Sequence, residues 1–596
     1  MKKYGKHTAL ILAISLTVTA VAPVTASAAT KPVFTKKYAT VKTGKNYVFK
    51  VSKIKKGTSV KWKITGDIKK YVSFAKNKVS ISETTKNSKA TASNKIYARK
   101  AVSKAKTGYI KVTVTGKDGK KYTISNMIKL SATKTTPTPD TNQETAVSKN
   151  ANDVAVLKKI IQEQKALGAT VSEDLDSTEY AWTEMETESG KELRLTEIRW
   201  MYKKLSGEFS VVGLEQLKSL YVEYNQLSSL NVSENSKLTN LSCDSNQLSS
   251  LNVSENPKLT KLFCDYNQLR SLNINGNPKL TELYCRCNEL DSLDTSGNPE
   301  LTILNCFKNQ LSSLDVSRNS ELTILTCSSN QLSSLDVSGN PGLTSLTCDT
   351  NQLNNLDISR NSKLTYLFCT YNSLNSLDVS GNPKLTELYC YNNQLNSLDV
   401  SGNSELTILS CGSNPLSSLD VSGNPELIQL VCDSNQLSSL DVSGNPGLTR
   451  LCCGSNQLNN LDISKNSKLT YLDCPNNSLN SLDVSGNPKL TELYCYNNQL
   501  NSLDVSGNSE LTILSCGSNQ LSSLDISGNS KLIQLSCYIN QLNSLDISRN
   551  LALEELYCQE NQLSSLDVTN NMALSKLWCD KTVNVTGGNS IEISFI

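Results

Sequence analysis

The stretch Leu301-Thr-Ile-Leu-Asn-Cys-Phe-Lys-Asn-Gln-Leu-Ser-Ser-Leu-Asp-Val-Ser-Arg-Asn-Ser-Glu321 decides the fold, because the residues that follow it repeat its pattern. The period is 21 residues, and it recurs from Leu217 to Leu574 in eighteen copies, of which the last is truncated. A degenerate copy, Leu195–Trp200, precedes them. Self-similarity at such a period indicates a solenoid, in which stacked repeats bury faces that no single repeat can bury alone.

Each repeat consists of two similar halves. The first half follows LxxLxCxxN and the second follows LxxLDVSxN, so each half carries two leucines and a third apolar residue. The second and third of these lie two positions apart, which fits an extended strand whose alternate side chains point inward. The sequence therefore predicts a mainly β solenoid in which both halves form strands and build two parallel sheets.

The full pattern, LxxLxCxxNxLxxLDxSxN, resembles the leucine-rich repeat in its short bacterial subclass of two nested half-repeats, which is internalin-like in a broad sense. The resemblance covers about Leu195 to Cys579. It implies a leucine-rich-repeat solenoid and an adhesin-like surface protein that binds a partner. The repeat differs from the internalin unit, so no receptor and no binding residue is carried over from that group.

Seventeen cysteines recur one period apart, from Cys243 to Cys579, and only Cys287 and Cys452 lie outside this ladder. The ladder cysteines hold the place of an apolar residue, which is Val222 in the first repeat. Small thiols pack well in a core and stay inert there. We therefore expect buried free thiols in place of disulfides or a metal framework, and we expect no metal site and no cofactor.

Three polar ladders follow the same period. Two asparagine ladders begin at Asn225 and Asn235, where the chain must turn, and we expect their side chains to bond the turn backbone and one another. An outward aspartate ladder runs from Asp294 to Asp567. Two interpretations of it stay open: these carboxylates bond the adjacent turns, or they bind cations or a basic partner.

The outward positions of the first half vary between repeats, whereas those of the second half are mostly Ser and Asp. Exposed aromatic residues are favoured in recognition surfaces. The candidate site for a protein or carbohydrate ligand comprises nine aromatic residues: Phe263, Tyr284, Tyr366, Phe368, Tyr389, Tyr471, Tyr494, Tyr557 and Trp578.

An alternative interpretation is that these aromatic residues only cover the sheet by stacking along it. The segment 372–414 recurs unchanged as 477–519, so Tyr494 is a copy of Tyr389. Duplication therefore placed at least one of the nine residues without any selection for a ligand.

Residues 1–28 read as a signal peptide, with a basic start, the apolar run Ala9–Ala22 and the cleavage signature Ala26-Ser-Ala28. The only histidine, His7, lies in this segment, so the mature chain lacks the residue that catalytic triads and most zinc sites need. We expect a secreted or cell-surface protein that is not an enzyme and has no transmembrane segment. The alternatives are a carbohydrate-active β-solenoid enzyme and a structural cell-wall spacer without a ligand.

Charge separates the chain into a basic head and an acidic body. Residues 31–132 carry 27 lysines and arginines against three acids, a net charge of +24, while residues 133–596 carry −22. Alternating segments such as Tyr47–Val51 and Val60–Ile64 resemble bacterial immunoglobulin-like surface modules, which implies an immunoglobulin-like β-sandwich. The charge would suit an anionic cell-wall polymer, whereas the resemblance alone also fits a simple spacer; we expect no nucleic-acid partner.

The remaining segments complete the predicted domain organisation. Residues 133–150 predict a linker, because Thr and Pro alternate there. Residues 151–216 predict an N-terminal cap with a helix over 152–167 that stops at Gly168. Residues 217–579 form the predicted solenoid, and residues 580–596 predict a C-terminal cap built on a hairpin around Gly587-Gly588.

Overall fold

The computed structural model describes residues 147–188, 190–587 and 592–595, together with the backbone of nine strands between residues 33 and 130. The chain divides into two units, Met1–Thr145 and Ala146–Ile596, and each is described by itself. The predicted signal peptide, 1–28, and residues 133–146 of the predicted linker lie outside the described residues.

All described elements of the first unit are β-strands, as the alternating pattern predicts. They are β1 (Val33–Phe34), β2 (Tyr38–Val41), β3 (Asn46–Lys55), β4 (Ser59–Thr65), β5 (Val72–Phe74), β6 (Ser80–Glu83), β7 (Lys89–Ala98), β8 (Lys106–Thr115) and β9 (Lys121–Leu130). One sheet has the order β1-β3-β7-β5, with β6 also paired to β7, and the other has the order β2-β9-β8-β4. The immunoglobulin-like assignment stays a prediction.

The second unit opens with a strand, a helix and three further strands. These are β10 (Ser148–Lys149), α1 (Ala151–Ala166), β11 (Tyr180–Thr187), β12 (Gly190–Arg199) and β13 (Ser206–Ser210). The side chain of Asn150 caps α1 by accepting a hydrogen bond from the Asp153 amide. Gly168 follows the helix at a φ of 93°, where residues with a Cβ are strained. The apolar side of α1 packs into the same core as Trp200 and Phe209.

The linker prediction was wrong for residues 148 and 149. Ser148 and Lys149 form β10, which pairs in parallel with Glu192 and Leu193 of β12. The next amide, Asn150, donates to the Leu193 carbonyl at 2.8 Å. Their polar composition suggested coil, but a strand at a sheet edge needs only main-chain hydrogen bonds.

One three- or four-residue strand in each repeat builds a single long parallel sheet. From Leu217 onward the strands are β14 (Ser219–Tyr221), β15 (Gln226–Asn231), β16 (Asn240–Ser242), β17 (Lys261–Phe263), β18 (Glu282–Tyr284), β19 (Ile303–Asn305), β20 (Ile324–Thr326), β21 (Ser345–Thr347), β22 (Tyr366–Phe368), β23 (Glu387–Tyr389), β24 (Ile408–Ser410), β25 (Gln429–Val431), β26 (Arg450–Cys452), β27 (Tyr471–Asp473), β28 (Glu492–Tyr494), β29 (Ile513–Ser515), β30 (Gln534–Ser536), β31 (Glu555–Tyr557), β32 (Ser565–Asp567), β33 (Lys576–Cys579), β34 (Asn584–Thr586) and β35 (Glu592–Phe595). The 22-stranded sheet runs through β10, β11, β12, β14, β16 to β31, β33 and β35. Each repeat strand pairs in register with the equivalent residues of the next, such as Phe368 with Tyr389.

The predicted second sheet is absent from the described repeats, and that prediction was wrong. The second half forms strands only at the two ends, where β13 pairs with β15 and β32 pairs with β34. In most other repeats a single backbone bond joins neighbouring second halves, such as Gln394 N to Leu374 O at 2.8 Å, which is too few for a strand ladder. Side chains accept other amide protons there: Asn414 Oδ1 accepts from Leu395 N at 3.0 Å, and Asp399 Oδ1 accepts from Ser401 N at 2.9 Å.

The core consists of the leucines of both halves and the third apolar residue of each half. Every ladder cysteine from Cys243 to Cys579 is buried and free, as predicted. Burial raises the pKa of these thiols, for example to about 12 for Cys306, which keeps them protonated. Four of them, including Cys369 to the Tyr389 carbonyl at 3.5 Å, donate to the backbone of the following repeat.

The asparagine ladders join the backbones of neighbouring repeats. Asn393, of the first ladder, accepts from Leu374 N at 3.0 Å and donates to the Cys369 and Cys390 carbonyls at 3.1 and 3.0 Å. Asn403, of the second, is fully buried and donates to the carbonyls of Val379 and Asn382 at 3.0 and 2.9 Å. The expected bonds between ladder side chains do not form, because the main chain of the preceding repeat takes their place.

The second asparagine ladder leaves a row of buried amide oxygens without a partner, among them Asn403 Oδ1. Asn319 is the exception, because the hydroxyl of Thr295 donates to its Oδ1 at 2.7 Å. Thr295 stands where the other repeats have Val or Ile. A single hydroxyl in the core thus satisfies an acceptor that its neighbours leave unpaired.

The aspartate ladder is exposed, and its carboxylates hold the adjacent turns. The bond from Ser401 N to Asp399 Oδ1 recurs in each repeat from Asp294 to Asp546, at 2.8–2.9 Å, and Thr569 is the donor at Asp567. These bonds lower the pKa of the carboxyl groups, to about 2 for Asp294, where Asn275 also donates. The turn-bonding interpretation of this ladder is therefore supported.

The predicted C-terminal hairpin was also wrong. Asn584–Thr586 pairs in parallel with β32, whereas Glu592–Phe595 pairs in parallel with β33. The two strands therefore join different sheets. Each extends a row of backbone hydrogen bonds that the last repeat leaves open.

Candidate ligand-binding face

The side chains on either side of the central leucine of each repeat strand form one surface of the long sheet. In the repeat that begins at Leu385 these are Glu387 and Tyr389, and Tyr391 and Asn392 extend the surface beyond the strand. We call the side chains at these four positions of all repeats the sheet face. The central leucine is buried and its two neighbours are half-buried in most repeats. The residues that vary between repeats therefore lie at the surface.

All nine aromatic residues of the predicted site lie on the sheet face, but they form four groups in place of one site. Non-aromatic residues at the same positions, such as Ile324, Thr326 and Ser410, separate the groups. The groups, with ring-centroid distances, are Phe263–Tyr284 (4.9 Å), Tyr366–Phe368–Tyr389 (Phe368 to Tyr389, 5.1 Å), Tyr471–Tyr494 (5.6 Å) and Tyr557–Trp578 (6.0 Å). Within each group the rings contact one another across neighbouring strands.

The largest group, which we call the aromatic crest, consists of Tyr366, Phe368, Tyr371, Tyr389 and Tyr391. The ring of Tyr391 lies 6.4 Å from that of Phe368 and 5.3 Å from that of Tyr371. Both pairs are edge-on, at 87° and 78°, and Phe368 and Tyr389 are tilted by 43°. The crest crosses the sheet face over two adjacent repeats, and its rings point in several directions.

The sequence-based site did not include Tyr371 and Tyr391, because both lie beyond the strand that the alternation predicts. Tyr371 occupies a turn position that is left-handed in the described copies of the repeat; its φ is 51°, and that of Asn392 in the next repeat is 53°. Asn adopts this conformation readily, but a bulky residue seldom does. The presence of a tyrosine at this turn position was the sequence signal that could have identified Tyr371. In the structure its side chain is 45% exposed.

Three carboxylates, of Asp349, Glu387 and Asp433, lie in the crest or in the repeats next to it. The Tyr389 hydroxyl donates to Glu387 Oε2 at 2.9 Å. Burial raises the pKa of Asp349 and of Asp433. A Cβ added to Gly412 would lie 2.8 Å from Asp433 Oδ1, so this carboxylate fills the space beside Tyr391 that a side chain at 412 would take.

These carboxylates have no basic partner among the residues that the structure describes. At the four sheet-face positions the sequence has no Lys or Arg between Lys308 and Arg450. The stretch around the crest is thus acidic and uncompensated.

Elsewhere on the sheet face, arginines lie on tyrosine rings. The guanidinium of Arg450 lies 3.6 Å from the ring centroid of Tyr471. Arg286 lies 5.2 Å from the ring of Tyr266, and its Nε also bonds Asp265 Oδ2 at 2.6 Å. Cation–π attraction accounts for these placements. The rings of this surface therefore already bind guanidinium groups of the same chain.

The duplicated segment gives the chain two copies of one local arrangement. Tyr494 donates to Glu492 Oε2 at 3.0 Å, as Tyr389 does to Glu387. The preceding repeats differ: Phe368 precedes Tyr389, whereas Asp473 precedes Tyr494. The two copies share their sequence and differ in their neighbours, which makes one a control for the other.

Within the described part of the chain, no cluster of three or more His, Cys, Asp or Glu side chains is arranged to hold a metal ion. Among the same residues, no helix has the length and apolar character of a membrane span.

Two solved structures place this architecture among known proteins. The functional domain of InlJ from Listeria monocytogenes, described as including a cysteine ladder, is 38% identical, with a TM-score of 0.51; the match covers 53% of this chain and 71% of that domain. YopM from Yersinia enterocolitica shares the fold at 24% identity, with a TM-score of 0.53 and coverage of 68% and 91%. The chain belongs to the bacterial leucine-rich-repeat proteins.

No protein-family model and no curated protein matches this leucine-rich-repeat protein. Its likeness to InlJ extends to the core, because InlJ also includes a cysteine ladder. The sheet face varies from one repeat to the next within this protein itself, so the binding residues must be argued from its own structure.

Proposed function

We propose that this leucine-rich-repeat protein binds a polypeptide or glycan ligand on its sheet face. The observation that carries the proposal is the separation of constant and variable residues. The second half of each repeat repeats the same turn bonds, such as Ser401 N to Asp399 Oδ1, whereas the sheet face differs in every repeat outside the duplicated segment. A constant frame with one variable surface is the arrangement of solenoids that bind partners.

The outward aspartates support binding in preference to catalysis. Glycoside hydrolysis needs two carboxyl groups in different environments on either side of the scissile bond. In the aspartate ladder each carboxylate makes the same turn bond, and each has a lowered pKa, as Asp378 and Asp399 show. The row therefore offers copies of one group and no acid–base pair.

In this proposal the protein acts at the cell surface or in the extracellular space, because residues 1–28 have the sequence of a signal peptide. The basic head, residues 31–132, would hold the protein to an anionic wall polymer through its charge of +24. Salt tests this part: attachment through charge is released at high ionic strength.

The binding proposal is tested with the full chain on an immobilised glycan array and an immobilised peptide library. The variant Tyr389→Ser/Tyr494→Ser/Tyr557→Ser is compared with Asp378→Asn/Asp399→Asn/Asp420→Asn on the opposite half of the repeats. We expect the first variant to lose the signals of the parent and the second to keep them, while circular dichroism shows both to be folded. Signals that survive in the tyrosine variant would place the ligand elsewhere and overturn the proposal.

A further inference from the structure

We propose that the aromatic crest binds an arginine- or lysine-rich segment of a partner polypeptide. This inference rests on the proposed function, because it names the ligand class for one part of the sheet face. Four observations support it: the charge of the crest, the arrangement of its rings, the arginines already bound to other rings, and the backbone conformation of Tyr371.

Charge favours a cation at the crest. Glu387 accepts from the Tyr389 hydroxyl, the charge of Asp349 helps to raise the pKa of Tyr366, and Asp433 lies over Gly412 in the repeat next to Tyr391. No described lysine or arginine lies within ion-pair distance of these carboxylates. Burial raises the pKa of Asp349 and Asp433, which shows that their charged forms are poorly solvated. An arriving ammonium or guanidinium group would therefore find both unpaired carboxylates and electron-rich ring faces.

The arrangement of the rings favours a cationic side chain over a sugar. A sugar stacks on a flat ring, and an extended glycan needs several rings in one plane. In the crest only Tyr366 and Phe368 are nearly parallel, at 7° and on the same strand; the other ring pairs are edge-on or tilted, with interplanar angles of 87°, 78°, 49° and 43°. An arginine or lysine side chain needs only one ring face, as Arg450 on Tyr471 shows, so inclined rings can bind it.

The chain itself supplies the model for such a contact. Arg450 lies on Tyr471 at 3.6 Å, and Arg286 lies on Tyr266 beside the Asp265 carboxylate. Each combines a ring with a guanidinium, and the second adds a carboxylate. The crest has rings and carboxylates, and a partner would supply the guanidinium or ammonium group.

Tyr371 shows that the crest is maintained at a cost in backbone strain. Its φ of 51° suits Asn or Gly, yet its ring is 45% exposed and packs edge-on against Tyr391. The same left-handed position holds a small or polar residue in most other repeats, such as Ser329, Asn392 and Ser413. The turn itself therefore does not require a tyrosine at 371.

The test measures binding of a labelled 16-residue peptide, in which arginine alternates with glycine and serine, to the full chain by fluorescence anisotropy. Its control is the same peptide with every arginine replaced by citrulline, which keeps the shape and removes the charge. We expect the arginine peptide to bind at least about tenfold more tightly than the citrulline peptide, because cation–π and ion-pair attraction both need the charge.

Two variants locate the site. Tyr391→Ser is expected to weaken binding of the arginine peptide at least about fivefold, while Tyr496→Ser, in the duplicated copy, changes it less than about twofold. Tyr371→Asn is expected to weaken binding while the melting temperature stays the same or rises, because Asn relieves the left-handed strain. A variant that binds less and is no less stable separates recognition from folding.

Equal binding of the citrulline peptide, or equal losses in Tyr391→Ser and Tyr496→Ser, would overturn the proposal. Loss of binding in Asp378→Asn/Asp399→Asn/Asp420→Asn would assign the peptide to the aspartate ladder and overturn it as well. Self-association of the parent that Tyr371→Asn abolishes would assign the crest to the basic residues 31–132 of a second copy. If the cation proposal fails while glycan signals still depend on the sheet face, the broader binding function stands.

Discussion

The two halves of each repeat have similar sequence patterns but different structural roles. The first half forms the strand, pairs with its neighbours through the backbone, and leaves its outward side chains free to vary. In the second half, polar side chains such as Asp399 and Asn414 bond the backbone, so these positions need a side chain that can accept those bonds. Where backbone hydrogen bonds hold the repeats together, the outward side chains are free to vary for recognition. Where side chains make the bonds, they are not.

The largest expected effect comes from breaking the second half. Asn403→Ala removes two hydrogen bonds and leaves the buried carbonyls of Val379 and Asn382 with one donor fewer. We expect the free energy of unfolding to fall by about 2–4 kcal/mol, because buried polar groups lose partners. Urea denaturation followed by circular dichroism measures it.

The matched control is Asn396→Ala, at an exposed position of the same repeat. It should change the free energy of unfolding by less than about 0.5 kcal/mol. Similar losses in both variants would contradict the structural role given to the buried ladder.

The next effect is a dependence of stability on pH through the aspartate ladder. The folded-state pKa of these carboxyls lies below the value of about 3.9 for an unfolded Asp, and is about 2 at Asp294. A lowered folded pKa contributes stability above the unfolded value, and this contribution is lost as the pH falls through the folded value. The melting temperature should therefore drop between about pH 4 and about pH 2.

The variant Asp378→Asn/Asp399→Asn/Asp420→Asn sharpens this test. Asn231 accepts the same turn bond from Ser233 N at 3.0 Å, so an amide can replace the carboxylate. The variant should lose less stability on acidification than the parent does. An equal acid-induced decrease in melting temperature would mean that other carboxyl groups govern the transition.

A smaller effect is expected at the left-handed turn of the first half. Ile539 has a φ of 47°, which is unfavourable for a β-branched residue, and it is 42% exposed. Ile539→Asn should raise the free energy of unfolding by about 0.5–1.5 kcal/mol. The reverse change, Asn497→Ile, serves as the control and should lower it by a similar amount.

The smallest effect concerns the unpaired amide oxygens. Val316→Thr should place a hydroxyl near Asn340 Oδ1, as Thr295 does for Asn319 at 2.7 Å. The new bond offsets the burial of the hydroxyl, so we expect a change within about 1 kcal/mol. Thr295→Val is the reciprocal variant, and it should not stabilise the protein; a clear gain there would show that the hydroxyl is not needed.

Sequence patterns predicted the parts of the fold that depend on local chemistry. The period of 21 residues, the inward leucines and the buried thiols all followed from which residues recur at which spacing. The helix predicted over 152–167 was confirmed as Ala151–Ala166, because its apolar spacing and the stop at Gly168 are local features of the sequence. The sheet-face position of the nine aromatic residues followed from strand alternation in the same way.

The tertiary structure decided what depends on contacts between repeats. Asn414 accepts from Leu395 N of the preceding repeat, 19 residues away, and a single backbone bond, such as Gln394 N to Leu374 O, joins neighbouring second halves, so the predicted second sheet does not form. The grouping of the nine aromatics, the addition of Tyr371 and Tyr391, and the lack of a basic partner for Asp433 depend on register and ring orientation. A repeat pattern sets the direction in which a side chain points, but its partner is set only when the next repeat is stacked on it.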